Sequence, residues 1–183
     1  GEGGAVLTND KALDKKIRSL RSHGITKDPK SMNKDDGPWY YEMKELGFNY
    51  RITDFQCALG MSQLKKLSKF IKRRKEIAKI YDYNFKNNDI FTIPYVNKNC
   101  SHAYHLYPLR INFKKLEQKK NLFQELYNKE INLQVHYIPI HLQPYYKKKY
   151  NFKKGDYPIA EKFYEQEVSL PIFYSLKDKD IAK

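Results

Sequence analysis

The stretch from Thr53 to about Lys86 constrains the fold most, because it is the one long segment with a sustained helical period. Leu64, Leu67, Phe70, Ile71, Ile77, Ala78, Tyr81 and Phe85 fall on one stripe, which requires a partner surface along its length. The stripe opens on Thr53 and Gln56, a capping-box pair: the hydroxyl accepts from the backbone N–H three residues on, and the glutamine reaches back. Gly60 is a weak point near the start, since glycine costs about 1 kcal/mol relative to alanine inside a helix. A helix of this length links two domains or lines an interface. The spacing therefore predicts an N-terminal region over residues 1–52, a linking helix over 53–87 and a C-terminal domain over 88–183.

Around that helix the pattern is mixed α and β. Gly4-Ala5-Val6-Leu7-Thr8 is a short β-prone run that reads as a buried strand. Thr8 or Asn9 can cap a following helix with Leu13, Ile17 and Leu20 on one face. Residues 23–50 contain Pro29, Gly37, Pro38 and Gly47 and show no period; so long a connection is functional or extended over a partner. Further on, strands are expected at Tyr104–Ile111 and Leu133–Tyr137. Helices are expected at Leu116–Ile131, with Leu122, Phe123, Leu126 and Tyr127 inward, and at Tyr157–Val168. Pro139 and Pro144 interrupt the chain between them, and Ser169-Leu170 starts a short strand that Pro171 stops. The expectation is an α/β chain ending in a small two-layer domain, helices over one sheet.

An apolar share of 40% with 15% aromatics is enough to bury a core and argues against disorder. No apolar run approaches the roughly 20 residues that span a bilayer. The net charge of +14 raises a nucleic-acid partner, but the lysines are scattered. The densest runs, Lys72-Arg73-Arg74-Lys75 and Lys147-Lys148-Lys149, read as solvated faces, so neither nucleic acid nor membrane is an expected partner. Cys57 and Cys100 have neither disulfide-framework nor metal spacing, which points to a reducing, cytoplasmic setting. The sequence starts at Gly1 without a methionine and stops on Leu176-Lys-Asp-Lys-Asp-Ile-Ala-Lys183, which reads as a helix opening. Both ends are expected to be cuts in a longer chain.

Spacing alone leaves the chemistry open. The five histidines, at 23, 102, 105, 136 and 141, form no H-E-x-x-H pattern and have no cysteine partners, so no metal site is expected. There is no G-x-S-x-G elbow and no G-x-x-x-x-G-K loop. The glycines at 1, 3 and 4 allow close backbone approach to a ligand, yet a turn before a strand explains them equally.

Longer runs are more specific. GEGGAVLTND, LRSHGI (20–25), GFNYRITDFQCALGMSQLKKL (47–67), HLYPLRI (105–111), VHYIPIHLQPYY (135–146) and AEKFYEQEVSLPIF (160–173) together resemble, in order, the DegT/DnrJ/EryC1/StrS-type sugar-nucleotide aminotransferases. The resemblance covers essentially the whole sequence. Within the family it is strongest to the enzymes that form a 4-amino sugar on the way to pseudaminic acid. It implies the C-terminal part of the type I fold of pyridoxal-phosphate-dependent transferases: the end of a large cofactor domain, then a small α+β domain. It also implies a homodimer with active sites at the subunit interface, pyridoxal 5'-phosphate as cofactor, and glutamate and a UDP-linked 4-keto-6-deoxy sugar as substrates.

By that resemblance the Schiff-base lysine, which moves protons as general acid and base, is expected upstream of Gly1. The catalytic set within the sequence is then empty, and the segment alone is expected to be inactive. Asn49 matches the position that reaches across the dimer to the cofactor phosphate, and Arg51 can add a charge-assisted bond there. A polar turn is the plain reading of Asn49 on residues alone. His136, Tyr137 and His141 fall where the small domain faces the nucleotide sugar, although a histidine satisfied by backbone fits His136 as well. Tyr104, His105 and Tyr107 read most simply as alternating strand side chains, and no role attaches to Glu2, His23 or Gly24. Three rivals remain at this stage: a non-catalytic interaction module, a sugar dehydratase of the same fold with histidine at the lysine position, and, on charge alone, a nucleic-acid binder.

Overall fold

The computed structural model describes residues 2–182 and divides the chain into two compact units, Gly1–Lys65 and Lys66–Lys183. The lysine position expected before Gly1 lies outside the described residues. The division falls inside the stretch expected to be one helix. That stretch is two helices, α2 (Asp54–Leu64) and α3 (Leu67–Phe85), in an order that begins with α1 (Lys11–Leu20), β1 (Ile25–Thr26) and β2 (Glu42–Met43). The break is at Lys65-Lys66 and not at Gly60, whose Cβ position is open space. Lysines favour helix, so local propensity does not cause the break. It falls where the burial pattern changes: α2 buries no residue, whereas α3 buries Ile77, Ala78 and Tyr81.

In the first unit α1 starts one residue later than expected. Asp10, not Thr8 or Asn9, is the N-cap; its Oδ1 accepts from the N–H of Ala12 (2.8 Å) and Leu13 (3.1 Å), while the Thr8 hydroxyl accepts from Asp10 N–H. The Thr53–Gln56 capping box of α2 forms as expected. The buried strand expected at residues 4–8 does not form. The run has no ladder partner among the described residues and Leu7 is 94% exposed; a strand needs a neighbouring strand to satisfy its backbone. Among the described residues, no buried apolar side chain of the core lies in this unit.

Residues 23–50 instead fold as β1 paired antiparallel with β2, Ile25 opposite Met43 and Thr26 opposite Glu42, around an excursion organised by one carboxylate. Glu42 accepts from the N–H of Asn33 (2.8 Å) and Lys34 (3.2 Å) and from the Tyr40 hydroxyl (3.0 Å), and pairs with Lys44. The Lys44 ammonium above all, with those donors, holds the Glu42 carboxyl down at about 2.

The second unit is built on a three-stranded antiparallel sheet in the order β3 (Phe91–Thr92), β4 (Tyr107–Ile111), β5 (Glu167–Leu170). Tyr107 and Leu109 of β4 point to α3 and form the core with Ile77, Ala78, Tyr81 and Ile172. Arg74 of α3 donates to the carbonyls of Tyr104 (2.8 Å), His105 (3.0 Å) and Ile172 (2.8 Å); Arg73 donates to Leu176 O and Asp178, both at 2.6 Å. The basic run at 72–75 is therefore not simply a solvated face: its two arginines tie the helix to the chain around the sheet.

The remaining elements are α4 (Leu116–Asn128), a 3-10 turn (Ile140–Leu142), α5 (Pro144–Tyr150), α6 (Pro158–Gln166) and α7 (Asp178–Ile181). Pro144 and Pro158 each open a helix, where a missing N–H costs nothing. On α4, Leu122, Phe123 and Leu126 are half-buried but Tyr127 is exposed. The strand expected at Leu133–Tyr137 reduces to one bridge, Gln134 opposite Ser169. At the next narrow ladder position, His136 N–H donates to the Glu167 side chain (2.9 Å) where a regular ladder uses a carbonyl.

Ile77→Ala removes a side chain with no exposed surface from the α3–β4 contact and should destabilise the second unit by about 2–5 kcal/mol, read from the shift in urea midpoint at constant slope.

Candidate functional site

Two groups of polar side chains stand out, one in each unit. The first is held by the segment after α1 and the segment before α2. His23 N–H donates to Phe48 O (2.9 Å), Phe48 N–H to Leu20 O (2.6 Å) and Tyr50 N–H to Arg21 O (2.8 Å), and Ser22 bridges Asn49. This close approach depends on two glycines. Gly24 has φ +66, and a Cβ there would lie 2.0 Å from Glu45 O; a Cβ on Gly47 would lie 2.3 Å from Gly24 N. Gly24 thus has a physical role that its sequence context did not disclose.

On the extended run 48–51, side chains alternate. Phe48 and Tyr50 stack with centroids 4.9 Å apart. Asn49 and Arg51 form the polar pair: Arg51 Nε donates to Asn49 Oδ1 (2.9 Å), and Arg51 Nη2 lies 3.4 Å from His23 Nε2. Asn49 and Arg51 are exposed. The structure brings together both sequence-predicted phosphate residues and adds His23, which the sequence had left without a role. Its donor set of an amide and a guanidinium contains no carboxylate, which suits an oxyanion such as a phosphate.

The second group lies in the other unit and separates its three predicted residues. Tyr137 is 73% exposed and lines a groove of about 600 Å³ with Pro139, Tyr157, Pro158, Ile159 and Phe163. His136 is half-buried, its Nδ1 2.8 Å from Ser169 Oγ, which in turn bonds Glu167. His141 is 6% exposed. Its Nε2 sits 2.8 Å from Glu161 Oε1, and its ring is flanked by Tyr157 at 4.8 Å and Phe152 at 6.4 Å. Glu161 also accepts from the N–H of Gly155 (2.7 Å), so the pair braces the entry to α6. Of the three, Tyr137 is exposed and His141 is buried.

The His141 bond first, then the backbone donors, holds the Glu161 carboxyl below its ordinary value against the opposing effect of burial. Glu161, Glu167 and Ser169 were missed in the sequence. The available signal was the alternation Glu167-Val168-Ser169-Leu170, polar residues on one face of a strand whose other face is apolar. Among the described residues, no cluster of histidine, cysteine or carboxylate side chains could hold a metal ion, and no helix is long and apolar enough to cross a membrane.

The helix-backed antiparallel sheet and the segments before it have the fold of the C-terminal part of type I pyridoxal-phosphate-dependent aminotransferases. The structure of Helicobacter pylori PseC, an aminotransferase involved in the biosynthesis of pseudoaminic acid, superposes with TM-score 0.80 and 35% identity over 96% of this chain and 44% of its own. Spr1654 of Streptococcus pneumoniae in its PMP form superposes with TM-score 0.84 and 29% identity, over 96% of this chain and 42% of its own. The chain belongs to the DegT/DnrJ/EryC1/StrS aminotransferase family, whose description matches residues 1–183. It is 39% identical over 181 residues to the UDP-4-amino-4,6-dideoxy-N-acetyl-beta-L-altrosamine transaminase of Campylobacter jejuni, across 98% of this chain and 45% of that protein. The chain spans about half the length of the curated relatives it matches.

Glu161 contributes stability that is present above its ordinary value near 4.5 and lost as pH falls through its lowered value in the fold. Glu161→Gln should therefore be less stable than the parent at pH 7, with the gap in urea midpoint narrowing on acidification to pH 3. A gap that is constant with pH would show that the carboxylate charge is not what His141 holds.

Proposed function

We propose that a protein carrying this segment is a pyridoxal-phosphate-dependent aminotransferase that moves an amino group from glutamate to C4 of a UDP-linked 4-keto-6-deoxy sugar, for a surface or flagellin glycan. Family membership supports the reaction class, and the relative from Campylobacter jejuni supports the substrate class. The observation that carries the reading is the exposed Asn49–Arg51 pair, a fork of donors on a loop fixed by Gly24 and Gly47.

Arg51 contributes charge and Asn49 an amide donor at the cofactor phosphate; accepting from Arg51 Nε orients the amide so that its NH₂ is presented. Their exposure in a single chain agrees with a role across a homodimer interface, as do the apolar side chains of the same unit left in solvent, Leu46 and Phe55 among them. Tyr137, with His136 beside it at 4.6 Å between ring centroids, would face the nucleotide sugar. Pyridoxal phosphate, when bound, supplies the electron sink for exchange of the amino group. The residues of this segment hold and orient; they exchange no proton with the reacting carbon.

Asn49→Ala in the holoenzyme should loosen the cofactor roughly tenfold, as expected for a lost hydrogen bond to a charged group, measured by equilibrium dialysis against pyridoxal phosphate. Arg51→Lys keeps the charge but loses the fork and should give an intermediate loss. Glutamate added to the parent should bleach the cofactor absorbance band and release 2-oxoglutarate. A band indifferent to glutamate would overturn the transaminase reading, and unchanged cofactor affinity in both variants would overturn the phosphate assignment.

A further inference from the structure

Glu167, Ser169 and His136 form a short chain of hydrogen bonds that the preceding assignment does not use. Glu167 has no exposed surface. One carboxylate oxygen accepts from His136 N–H at 2.9 Å, and the other is bonded by the Ser169 hydroxyl, whose oxygen is also 2.8 Å from His136 Nδ1. The backbone is pinned beside them, since Ser169 N–H donates to Gln134 O at 2.8 Å.

We infer that Glu167 and Ser169 are positioning residues that keep a proton on His136 Nδ1 and so leave Nε2 as the nitrogen that accepts from a bound hydroxyl or N–H group. Serine has one proton to give, and an ionised carboxylate can only accept. The hydroxyl proton therefore goes to Glu167. The Ser169 oxygen is left with its lone pairs toward the imidazole, and the matching partner is Nδ1–H. Neutral and charged imidazole both carry Nδ1–H, so only Nε2 gains or loses a proton. The arrangement is the one in which a second residue fixes a histidine tautomer for the use of its other nitrogen.

The consequence for substrate rests on the aminotransferase reading. With the proton held on Nδ1, His136 Nε2 is the nitrogen that takes a hydroxyl or acetamido N–H of the sugar. Ser169 and Glu167 then act on the sugar end without touching it.

The test reads the tautomer directly. Long-range ¹H–¹⁵N correlation spectra of the full chain, at a pH where the imidazole is neutral, should show His136 with a protonated Nδ1 and a bare Nε2; the signal is identified by its loss in His136→Gln. Ser169→Thr keeps the hydroxyl and should keep this pattern, whereas Ser169→Ala should give a mixture of tautomers. A parent spectrum with the proton on Nε2 overturns the inference even if Ser169→Ala fails to fold, and so does an unchanged pattern in a folded Ser169→Ala. Neither readout needs cofactor or sugar, so they fail or succeed apart from the proposed activity. In the holoenzyme, Ser169→Ala should raise the KM for the sugar roughly three- to tenfold with little change in kcat. An unchanged KM overturns the sugar-facing role while leaving the tautomer result intact.

Discussion

The packing of α3 on β4 is the contact from which the rest of the second unit takes its place. Ile77, Ala78 and Tyr81 meet Tyr107 and Leu109, and the buried phenols are satisfied by hydrogen bonds: Tyr107 donates to Asp82 at 2.7 Å and Tyr81 to Pro171 O at 2.7 Å. Burial pushes the Tyr81 phenol up to about 12, and burial together with Asp82 pushes Tyr107 well above the usual phenol range, so both remain neutral donors throughout the physiological range. With β4 fixed, β5 is fixed through its register, Leu109 opposite Val168. The polar face of β5 then sets where the segment around His136 can lie. A hydrophobic contact on one side of the sheet thus determines a hydrogen-bond geometry on the other.

The first unit works on a different principle. It has no buried apolar core of its own among the described residues, and its geometry comes from backbone bonds passing between the segments around His23 and Phe48. Side-chain bulk is excluded at that crossing, which is why Gly24 and Gly47 stand there. The apolar surface left over, at Val6, Leu7, Phe55 and Leu64, is the surface a partner would have to cover.

How much of this could be read from residue order follows from where the forces are local. The capping box of Thr53 and Gln56 acts within four residues, and it was legible. So was the stripe of α3, because Ile77, Ala78 and Tyr81 repeat at helical spacing and are the residues that become buried. The break at Lys65 was not legible, because it reflects which residues find a burying surface and not what lysine prefers. The same holds for residues 4–8, whose β-prone pattern has no strand to pair with among the described residues. In the candidate site, Asn49 and Arg51 could be named from the family resemblance, and the structure joins them by a hydrogen bond. Their support by His23 depends on a contact across twenty-eight positions of sequence that no periodicity reveals. His141, named from the same resemblance, is buried, and its Nε2 sits 2.8 Å from Glu161 Oε1 on another element, a contact that no periodicity reveals.

The excursion between β1 and β2 hangs from a neck of two paired residues on each side and is gathered internally around the Glu42 carboxylate. None of the bonds that seat Phe48 and Tyr50 originates in it. Because lengthening a closed loop costs only a fraction of a kilocalorie per added residue, on the order of 0.6 kcal/mol for each doubling, the neck can carry a shorter or longer turn at little expense. The molecule thereby separates an adjustable appendage from the tight crossing at Gly24 and Gly47, where side-chain bulk is excluded. A designer wishing to graft a foreign recognition loop onto this scaffold has a socket there, a few residues of chain away from Asn49.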